Sequence, residues 1–111
     1  MEALVKKDIS KLIIENKEDI KEVYEFIKND NKIGYGIIKN NNEDQLQIFI
    51  YEDYRSNGYG KLFFGKMLET IKQDIRVKTN DNHMINIIDF YNGKELSRNK
   101  GMRVFLIPKK D

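Results

Sequence analysis

The spacing of apolar residues near the start of the chain predicts one strand followed by one helix. The run KLIIE, residues 11–15, is short and apolar, which favours a strand. We expect a helix over 17–28, with Asn16 as its N-cap and Asp19 three residues later. Four apolar residues fall at the i, i+3, i+4, i+7 spacing that lines one face of this helix: Ile20, Val23, Tyr24 and Ile27.

Two longer runs of β-branched and aromatic residues predict an antiparallel hairpin. They cover 32–39 and 45–53, and the polar cluster NNNED between them is typical of a turn. The second run is apolar at odd and even positions alike, so both faces of this strand are apolar. We therefore expect it to lie in the centre of a sheet.

The second half of the chain alternates helices with strands. A helix is predicted from the glycine-containing segment to about Asp74, a strand over 75–79, and a final strand over 102–107 after a short extended piece near Leu96. Four residues share one face of a helix between these strands: Met84, Ile87, Ile88 and Tyr91. Residues 45–79 then form a βαβ unit, which favours an α/β (α+β) fold with mixed strand directions and about three helices.

Composition supports one folded domain covering residues 1–111. Hydrophobic residues make up 40% and charged residues 34%, which is ordinary for a globular chain. The net charge of +2 comes from 20 basic and 18 acidic residues, so it lacks the basic asymmetry of a nucleic-acid-binding domain. The sequence has no cysteine, which excludes disulfides and thiolate metal sites. No apolar run is long enough to span a membrane and the N-terminus does not resemble a secretory signal, so we expect a cytoplasmic protein.

The segment YEDYRSNGYGKLFF, residues 51–64, carries the clearest chemical signal. The first amides of a helix have no intrahelical acceptor and bear a partial positive charge, so they bind anions. Gly58 and Gly60 lack the β-carbons that would keep a phosphate away from those amides, and Arg55 adds a planar cationic fork. This combination predicts a diphosphate-binding loop, whereas the plainer interpretation is a tight strand-to-helix turn.

Two common nucleotide-binding motifs do not fit this loop. A Walker loop needs a serine or threonine after Gly-Lys, but Leu62 follows Lys61. A dinucleotide-binding fingerprint needs a third glycine where Phe63 stands, and an acidic residue about 20 positions later, where the chain has Lys78 and Thr79.

RSNGYG has the Arg/Gln-x-x-Gly-x-Gly/Ala form of the acetyl-CoA-binding segment in the GNAT superfamily of N-acetyltransferases. The context also resembles that family: IFIYEDYRSNGYG is similar to its central strand, loop and helix start, and IIDFYNGKEL to its later helix. Coarse resemblance extends from about residue 9 to residue 108. The chain differs where the family often has an asparagine seven residues before the tyrosine, at Met84, and Gly-Phe after it, at Glu95 and Leu96.

The resemblance implies a mixed, mostly antiparallel central sheet with a central parallel strand pair. It also implies acetyl-CoA as co-substrate and no metal. In the family, loop amides hold the coenzyme A diphosphate, and backbone groups of the central strand, near a bulge, pair with the pantetheine arm. The arm enters where the central strand splays from the next parallel strand, here residues 75–79. The matching cofactor-binding positions in this sequence are Ile48, Ile50, Arg55, Ser56, Asn57, Gly58, Tyr59, Gly60 and Lys61.

The resemblance also implies catalytic residues. Tyr91 matches the tyrosine that protonates or hydrogen-bonds the leaving sulfur in many family members, although a core role is the alternative. Glu52, and less so Asp53, ends the central strand where a general base would stand. His83 is a further candidate base, since histidine often serves as one, but it is more typical of a solvated helix start. Water-relayed deprotonation would need no carboxylate.

The leading hypothesis is therefore an enzyme, an N-acetyltransferase that moves acetyl from acetyl-CoA to a primary amine by direct attack in a ternary complex. The alternative is a non-catalytic acetyl-CoA sensor that regulates a partner protein. The acceptor would be a small-molecule or protein/peptide amine, with no nucleic acid or membrane partner, and the protein a monomer or a homodimer. A small nucleic-acid-binding domain is a third class, which the balanced charge disfavours.

Overall fold

The structure is a computed structural model that describes residues 1–11, 19–40 and 43–109. In this part of the chain, seven strands form one sheet and two α-helices pack against it. The strands are β1 (Glu2–Lys7), β2 (Ile20–Lys28), β3 (Asn31–Asn40), β4 (Asp44–Ile50), β5 (Ile75–Thr79), β6 (Lys94–Asn99) and β7 (Met102–Ile107). The helices are α1 (Tyr59–Thr70) and α2 (Asn82–Phe90), and short 3-10 helices cover Ile9–Lys11 and Glu52–Tyr54.

The sheet has the strand order β1-β2-β3-β4-β5-β7-β6. Strands β4 and β5 pair in parallel and the other neighbours pair antiparallel. The crossover between β4 and β5 contains α1, which confirms the predicted βαβ unit and the mixed, mostly antiparallel sheet with a central parallel pair.

The core lies between the two helices and one face of the sheet, which we call the helix face. Helix α1 buries Phe63, Phe64 and Met67, and the ring of Phe63 stacks on Phe26 of β2 with centroids 4.6 Å apart. Residues of α2, β3, β4, β5 and β7 join this cluster. A smaller cluster of Ile20, Val23 and Ile37 lies on the opposite face. Neither helix in the described ranges has the length and apolar content needed to cross a membrane.

The helix predicted over 17–28 is wrong, because Ile20–Lys28 forms strand β2. This strand lies between β1 and β3, and both of its faces contribute to a cluster. Phe26 is buried against the helix face, whereas Val23 is buried on the opposite face. A strand that is apolar on both faces can match helical spacing by chance, since its pattern excludes neither the helical period nor the strand period. The count of about three helices falls to two α-helices in the described residues.

The remaining predicted elements are confirmed, with shifted ends. The hairpin of β3 and β4 forms, but β4 ends at Ile50 and Glu52 begins a 3-10 helix. Helix α1 ends at Thr70, four residues before Asp74. Strands 75–79 and 102–107 form at the predicted residues, and the extended piece near Leu96 is the full strand β6.

The predicted strand over 11–15 and the N-cap at Asn16 lie outside the described residues, apart from Lys11, which ends a 3-10 helix. The first strand that the structure describes is β1, which pairs antiparallel with β2 from Glu2–Lys28 to Lys7–Val23. The sequence pattern did not predict β1, because its alternation is interrupted by charged residues at Lys6 and Lys7.

Candidate functional site

The loop between β4 and α1 adopts a conformation that requires glycine. Gly58 is the N-cap of α1 and has φ of +78°, a region that other residues enter only at a cost. A β-carbon on Gly58 would meet no atom within 4 Å, so the requirement is conformational and not one of space. Ser56, two residues earlier, also has positive φ, +67°.

The first amides of α1 face outward from the end of the helix. The carbonyl of Gly58 accepts the first intrahelical hydrogen bond, from Leu62, at 3.1 Å. The amides of Tyr59, Gly60 and Lys61 therefore precede the helical ladder and have no intrahelical acceptor. They form a group of donors at the positive end of the helix dipole, which suits a phosphate.

Gly60 brings the start of α1 close to α2. A β-carbon there would lie 3.4 Å from Cδ1 of Ile87, which is an ordinary van der Waals contact. The helix could therefore accept alanine at this position, while the cleft that Gly60 lines would become narrower. The ring of Tyr59 beside it packs 6.4 Å from Tyr54, and Nζ of Lys28 lies 5.0 Å from the Tyr59 ring centroid.

Arg55 is anchored at the end of β4. Its Nε donates to the carbonyl of Ile50 at 2.9 Å, and its guanidinium carbon lies 5.2 Å from the centroid of Phe49. Nε thus holds the side chain in place. Arg55 also lines a cleft beside the loop, which is described below. The side chain supplies a fixed positive charge beside the amides of α1.

A cleft of about 520 Å³, which we call the first cleft, opens between the loop, β4 and α2. Strands β4 and β5 share only the Cα pairing Gln45–Arg76 near their starts, so they diverge beyond it. The residues that line the cleft come from these elements and the loop: Ile48, Phe49, Ile50, Tyr54, Arg55, Ser56, Gly58, Tyr59, Gly60, Asp81, His83, Met84 and Ile87.

The backbone of β4 presents free hydrogen-bonding groups to this divergence. Tyr51 donates its N–H to Ile33 of β3 at 2.9 Å. Because every second residue of an antiparallel strand bonds to the same neighbour, the odd-numbered residues of β4 bond to β3 and the even-numbered residues face the other side. The N–H and C=O groups of Ile48 and Ile50 therefore point toward β5, from which β4 has separated. The ladder from Gly34–Ile50 to Asn40–Asp44 has no register shift, so the bulge that the family resemblance implied in the central strand is not present.

A second cleft, of about 340 Å³, continues from the first toward the opposite face of the sheet. Both clefts are lined by Ile48, Phe49, Asp81 and Met84, so they meet between the diverging strands. The second cleft also contacts Phe64 on the helix face and Tyr35 on the opposite face. A molecule in each cleft would meet its neighbour at the gap in the sheet.

The structure brings most of the predicted cofactor-binding residues to the first cleft. Those that line it are Ile48, Ile50, Arg55, Ser56, Gly58, Tyr59 and Gly60. The side chain of Asn57 instead donates to the carbonyls of Tyr54 and Arg55, at 3.3 and 3.0 Å, and so stabilises the loop. Lys61 lies with Nζ 3.5 Å from the ring centroid of Phe90, and only its backbone amide belongs to the donor group.

The two predicted catalytic residues are not brought to either cleft. Glu52 is exposed in the 3-10 helix after β4, and its carbonyl accepts the amide of Arg55. Tyr91 is the C-cap residue of α2 and lines a separate cleft with Leu68 and Ile107. Their catalytic roles stay predictions, and their positions give those roles no support.

Two ionisable residues at the start of α2 line the first cleft. The Asp81 carboxylate caps α2 by accepting the N–H of His83 at 3.1 Å. Asp81 lines both clefts, and His83 lines the first. Their proximity to the loop could have been suspected from the parallel β4–β5 pair, because the carboxyl ends of parallel strands meet at one edge of a sheet.

Among the described residues, no group of His, Asp and Glu side chains is arranged to hold a metal ion. The ionisable side chains that line the two clefts are Arg55, Lys78, Asp81 and His83, together with Tyr35, Tyr54 and Tyr59.

Neither a protein-family model nor a curated protein sequence matches the chain. Solved structures do match its fold. The IAA acetyltransferase from Bacillus cereus is similar with a TM-score of 0.79 at 11% identity, over 97% of this chain and 99% of that one. The ribosomal-protein-S18-alanine N-acetyltransferase from Escherichia coli is similar with a TM-score of 0.75 at 9% identity, over 100% and 96%. A GNAT family acetyltransferase from Elizabethkingia anophelis with acetyl-CoA bound is similar with a TM-score of 0.67 at 12% identity, over 82% and 77%.

These likenesses show that the chain has the GNAT fold, as the loop motif had predicted. Because the identities are low, the fold itself does not assign an activity, and the function must be argued from the site.

Proposed function

We propose that this chain transfers an acetyl group from acetyl-CoA to a primary amine by direct attack in a ternary complex. The observation that carries the proposal is the first cleft, which is lined together by Arg55, by the first residues of α1 and by the end of β4, where this strand no longer pairs with β5. Phosphate donors at one end and strand-pairing groups along the side are what a long thioester cofactor requires.

The residues of the cleft fit acetyl-CoA at both of these places. The amides of Tyr59, Gly60 and Lys61, with Arg55 beside them, would hold the diphosphate. The N–H and C=O groups of Ile48 and the N–H group of Ile50 would pair with the pantetheine amides as an added strand would, since the Ile50 carbonyl already accepts Nε of Arg55. This arrangement leaves the thioester in the gap between β4 and β5, where the two clefts meet.

The proposed reaction makes a C–N bond and breaks a C–S bond. The neutral amine nitrogen bonds to the thioester carbonyl carbon and loses one of its protons as the amide forms, while the sulfur leaves as a thiolate that takes up one proton. Before attack the ammonium must lose one proton, since an alkyl amine has a pKa near 10. Asp81, where the clefts meet, and His83 beside it are the groups placed to accept that proton through water.

The two clefts also support a ternary complex. The first cleft lies beside the loop and α2. The second cleft lies on the opposite face of the sheet, beside Tyr35 and Phe49. An amine can therefore approach the thioester while acetyl-CoA is bound, and no covalent acetyl-protein is needed. A cysteine nucleophile is excluded outright, because the sequence contains none.

Initial-rate kinetics tests this proposal. Purified protein should release coenzyme A with an amine panel, and double-reciprocal plots against acetyl-CoA should intersect, as direct transfer requires. Parallel lines together with an acetylated protein in the mass spectrum would contradict direct attack.

A second candidate is a protein that binds acetyl-CoA without catalysis and regulates a partner. The positions of Glu52 and Tyr91 outside both clefts favour it, because neither can act there as base or acid. Acetyl-CoA binding without turnover on any amine would support this candidate over the enzyme.

A further inference from the structure

The second cleft has the size of a small-molecule site. Its volume of about 340 Å³ falls within the roughly 300–1,000 Å³ of typical ligand pockets. On the opposite face of the sheet it is bordered by β3, β4 and β5, and it is lined there by Tyr35, Ile37, Gln47, Phe49 and Lys78. An acceptor that enters from this face meets these side chains first.

One side of the second cleft is aromatic. Tyr35 and Phe49 are cross-strand partners whose rings stack with centroids 5.3 Å apart, and Tyr51 packs against both, at 6.2 and 5.9 Å. We call these three residues the aromatic wall; Tyr35 and Phe49 line the cleft, and Tyr51 extends the wall beyond it. Phe49 is 42% exposed and Tyr51 is 37% exposed, so a large apolar surface borders the cleft. This surface favours an acceptor with an apolar or aromatic group.

Two opposite charges line the second cleft at different places, Lys78 on the opposite face of the sheet and Asp81 where the two clefts meet. Ile75 and Val77 of β5 are buried in the core on the helix face, so strand alternation places Lys78 on the opposite face, next to the cleft. Asp81 lines the same cleft where it meets the first. Glu25, the cross-strand partner of Tyr35, lies between Lys7 and Lys32, each 3.8 Å away, and so adds little net negative charge.

This order matches a zwitterion. An ammonium group at the inner end would lie near Asp81 and the thioester, and a carboxylate would lie toward Lys78. Lys78 and Asp81 are three residues apart, so their Cα atoms are at most about 11 Å apart, a span that a lysine side chain can shorten. An α-amino acid carries its ammonium and carboxylate groups on the same carbon. With both groups bound, its side chain would point toward the aromatic wall.

We propose that the acceptor is a free α-amino acid, or a close analogue, with an aromatic or large apolar side chain, and that Lys78 selects it by binding its carboxylate. This inference rests on the proposed function, since it names the amine of that reaction. A protein N-terminus or a lysine side chain lacks the free carboxylate beside the amine, and a polyamine has no anion to offer Lys78.

The test compares acceptors that differ in one group. Initial rates with acetyl-CoA are measured for phenylalanine, phenylalanine amide and phenethylamine, in the wild type, in Lys78→Gln and in Lys94→Gln. Lys94 is an exposed lysine of strand β6, away from both clefts, and it is the matched control for loss of a charge. Calorimetric titration of each acceptor into the protein with coenzyme A bound gives a second readout that does not depend on turnover.

We expect the wild type and Lys94→Gln to prefer phenylalanine over phenethylamine in kcat/KM and in affinity. Lys78→Gln should reduce this preference about tenfold to a hundredfold, the range for one hydrogen bond to a charged group. Equal or better use of the amide and of phenethylamine by the wild type would overturn the inference, and so would an unchanged preference in Lys78→Gln. Failure of coenzyme A or acetyl-CoA to bind at all would overturn the proposed function as well, so the two failures are distinguishable.

Discussion

The hydroxyl of Tyr91 donates to the backbone carbonyl of Lys61 at 2.8 Å, across the contact between α2 and α1. The Tyr91 ring stacks on Phe64 with centroids 5.5 Å apart. A β-carbon on Gly65 would collide with the Tyr91 hydroxyl oxygen, so this contact depends on a glycine in α1. Burial, with a smaller contribution from Glu69, raises the pKa of Tyr91, which keeps its hydroxyl protonated as a donor. Tyr91 therefore joins the two helices that form the first cleft.

Tyr91→Phe should lower the free energy of unfolding by about 1 kcal/mol, because it removes one hydrogen bond and leaves the Lys61 carbonyl without its side-chain partner. We expect acetyl transfer to fall much less than the loss of a proton donor would predict. Urea denaturation and steady-state kinetics measure the two effects, and Tyr24→Phe, which also removes a hydroxyl hydrogen bond but lines neither cleft, is the matched control. A decrease in kcat of more than about a hundredfold with unchanged stability would instead support the catalytic role.

The sequence predicted those parts of the site that depend on local chemistry. The amides of α1, Gly58 and Arg55 lie within one short segment, and their roles follow from helix termini and glycine conformation alone. The βαβ unit followed because its strands and helix each have a clear period. Gly58 is required for its φ angle, which sharpens the initial argument that it gives space to a ligand.

The rest depends on contacts between distant segments. The spacing from Ile20 to Ile27 fitted a helix, and only pairing with β1 and β3 makes it a strand buried on both sides. Lys78 and Asp81 became candidates because β5 diverges from β4 and opens the gap beside them. No local sequence pattern predicts that these two strands diverge.

Gly58→Ala should destabilise the protein by about 1 kcal/mol, the cost of a β-carbon at positive φ. Because the space around Gly58 is open, Gly58→Asn should cost less, since asparagine tolerates the left-handed region. Urea denaturation of the two variants provides the comparison. Equal losses for alanine and asparagine would show that the conformational explanation is wrong.

Arg55→Ala should weaken acetyl-CoA binding about tenfold or more, because it removes the positive charge beside the α1 amides. Arg55→Lys should restore only part of the affinity, since lysine cannot donate to Ile50 and present a second donor pair at once. The affinities are measured by calorimetry at two salt concentrations, with Lys94→Ala as the control. Wild-type affinity in Arg55→Ala would exclude a role for this side chain in anion binding.

The hairpin of β6 and β7 should lose stability in acid. Hydrogen bonds from Arg98 and Arg103 lower the pKa of Glu95 from 4.5 to about 2. A carboxylate whose pKa is lower in the folded state stabilises the fold above its unfolded pKa, and this contribution disappears as pH falls from about 4.5 to about 2. Urea denaturation across this range should show a smaller loss for Glu95→Gln than for the wild type. Identical pH profiles would contradict the assignment.

The most direct measurement of the central claim is a calorimetric titration of acetyl-CoA into the wild type and into Gly60→Ala. The alanine β-carbon makes only an ordinary contact with Ile87, and alanine is the better helix residue, so stability should be unchanged or higher. The same methyl group projects into the first cleft beside the donor amides, and affinity should fall by at least about tenfold. Gly101→Ala, in the turn between β6 and β7, controls for a loss of stability, because its φ of +82° penalises a β-carbon while the cleft stays unchanged. Saturable binding to the wild type and to Gly101→Ala, with much weaker binding to a well-folded Gly60→Ala, is the predicted result. No binding to the wild type, or equal binding to Gly60→Ala, would contradict the assignment of this loop as the acetyl-CoA diphosphate site.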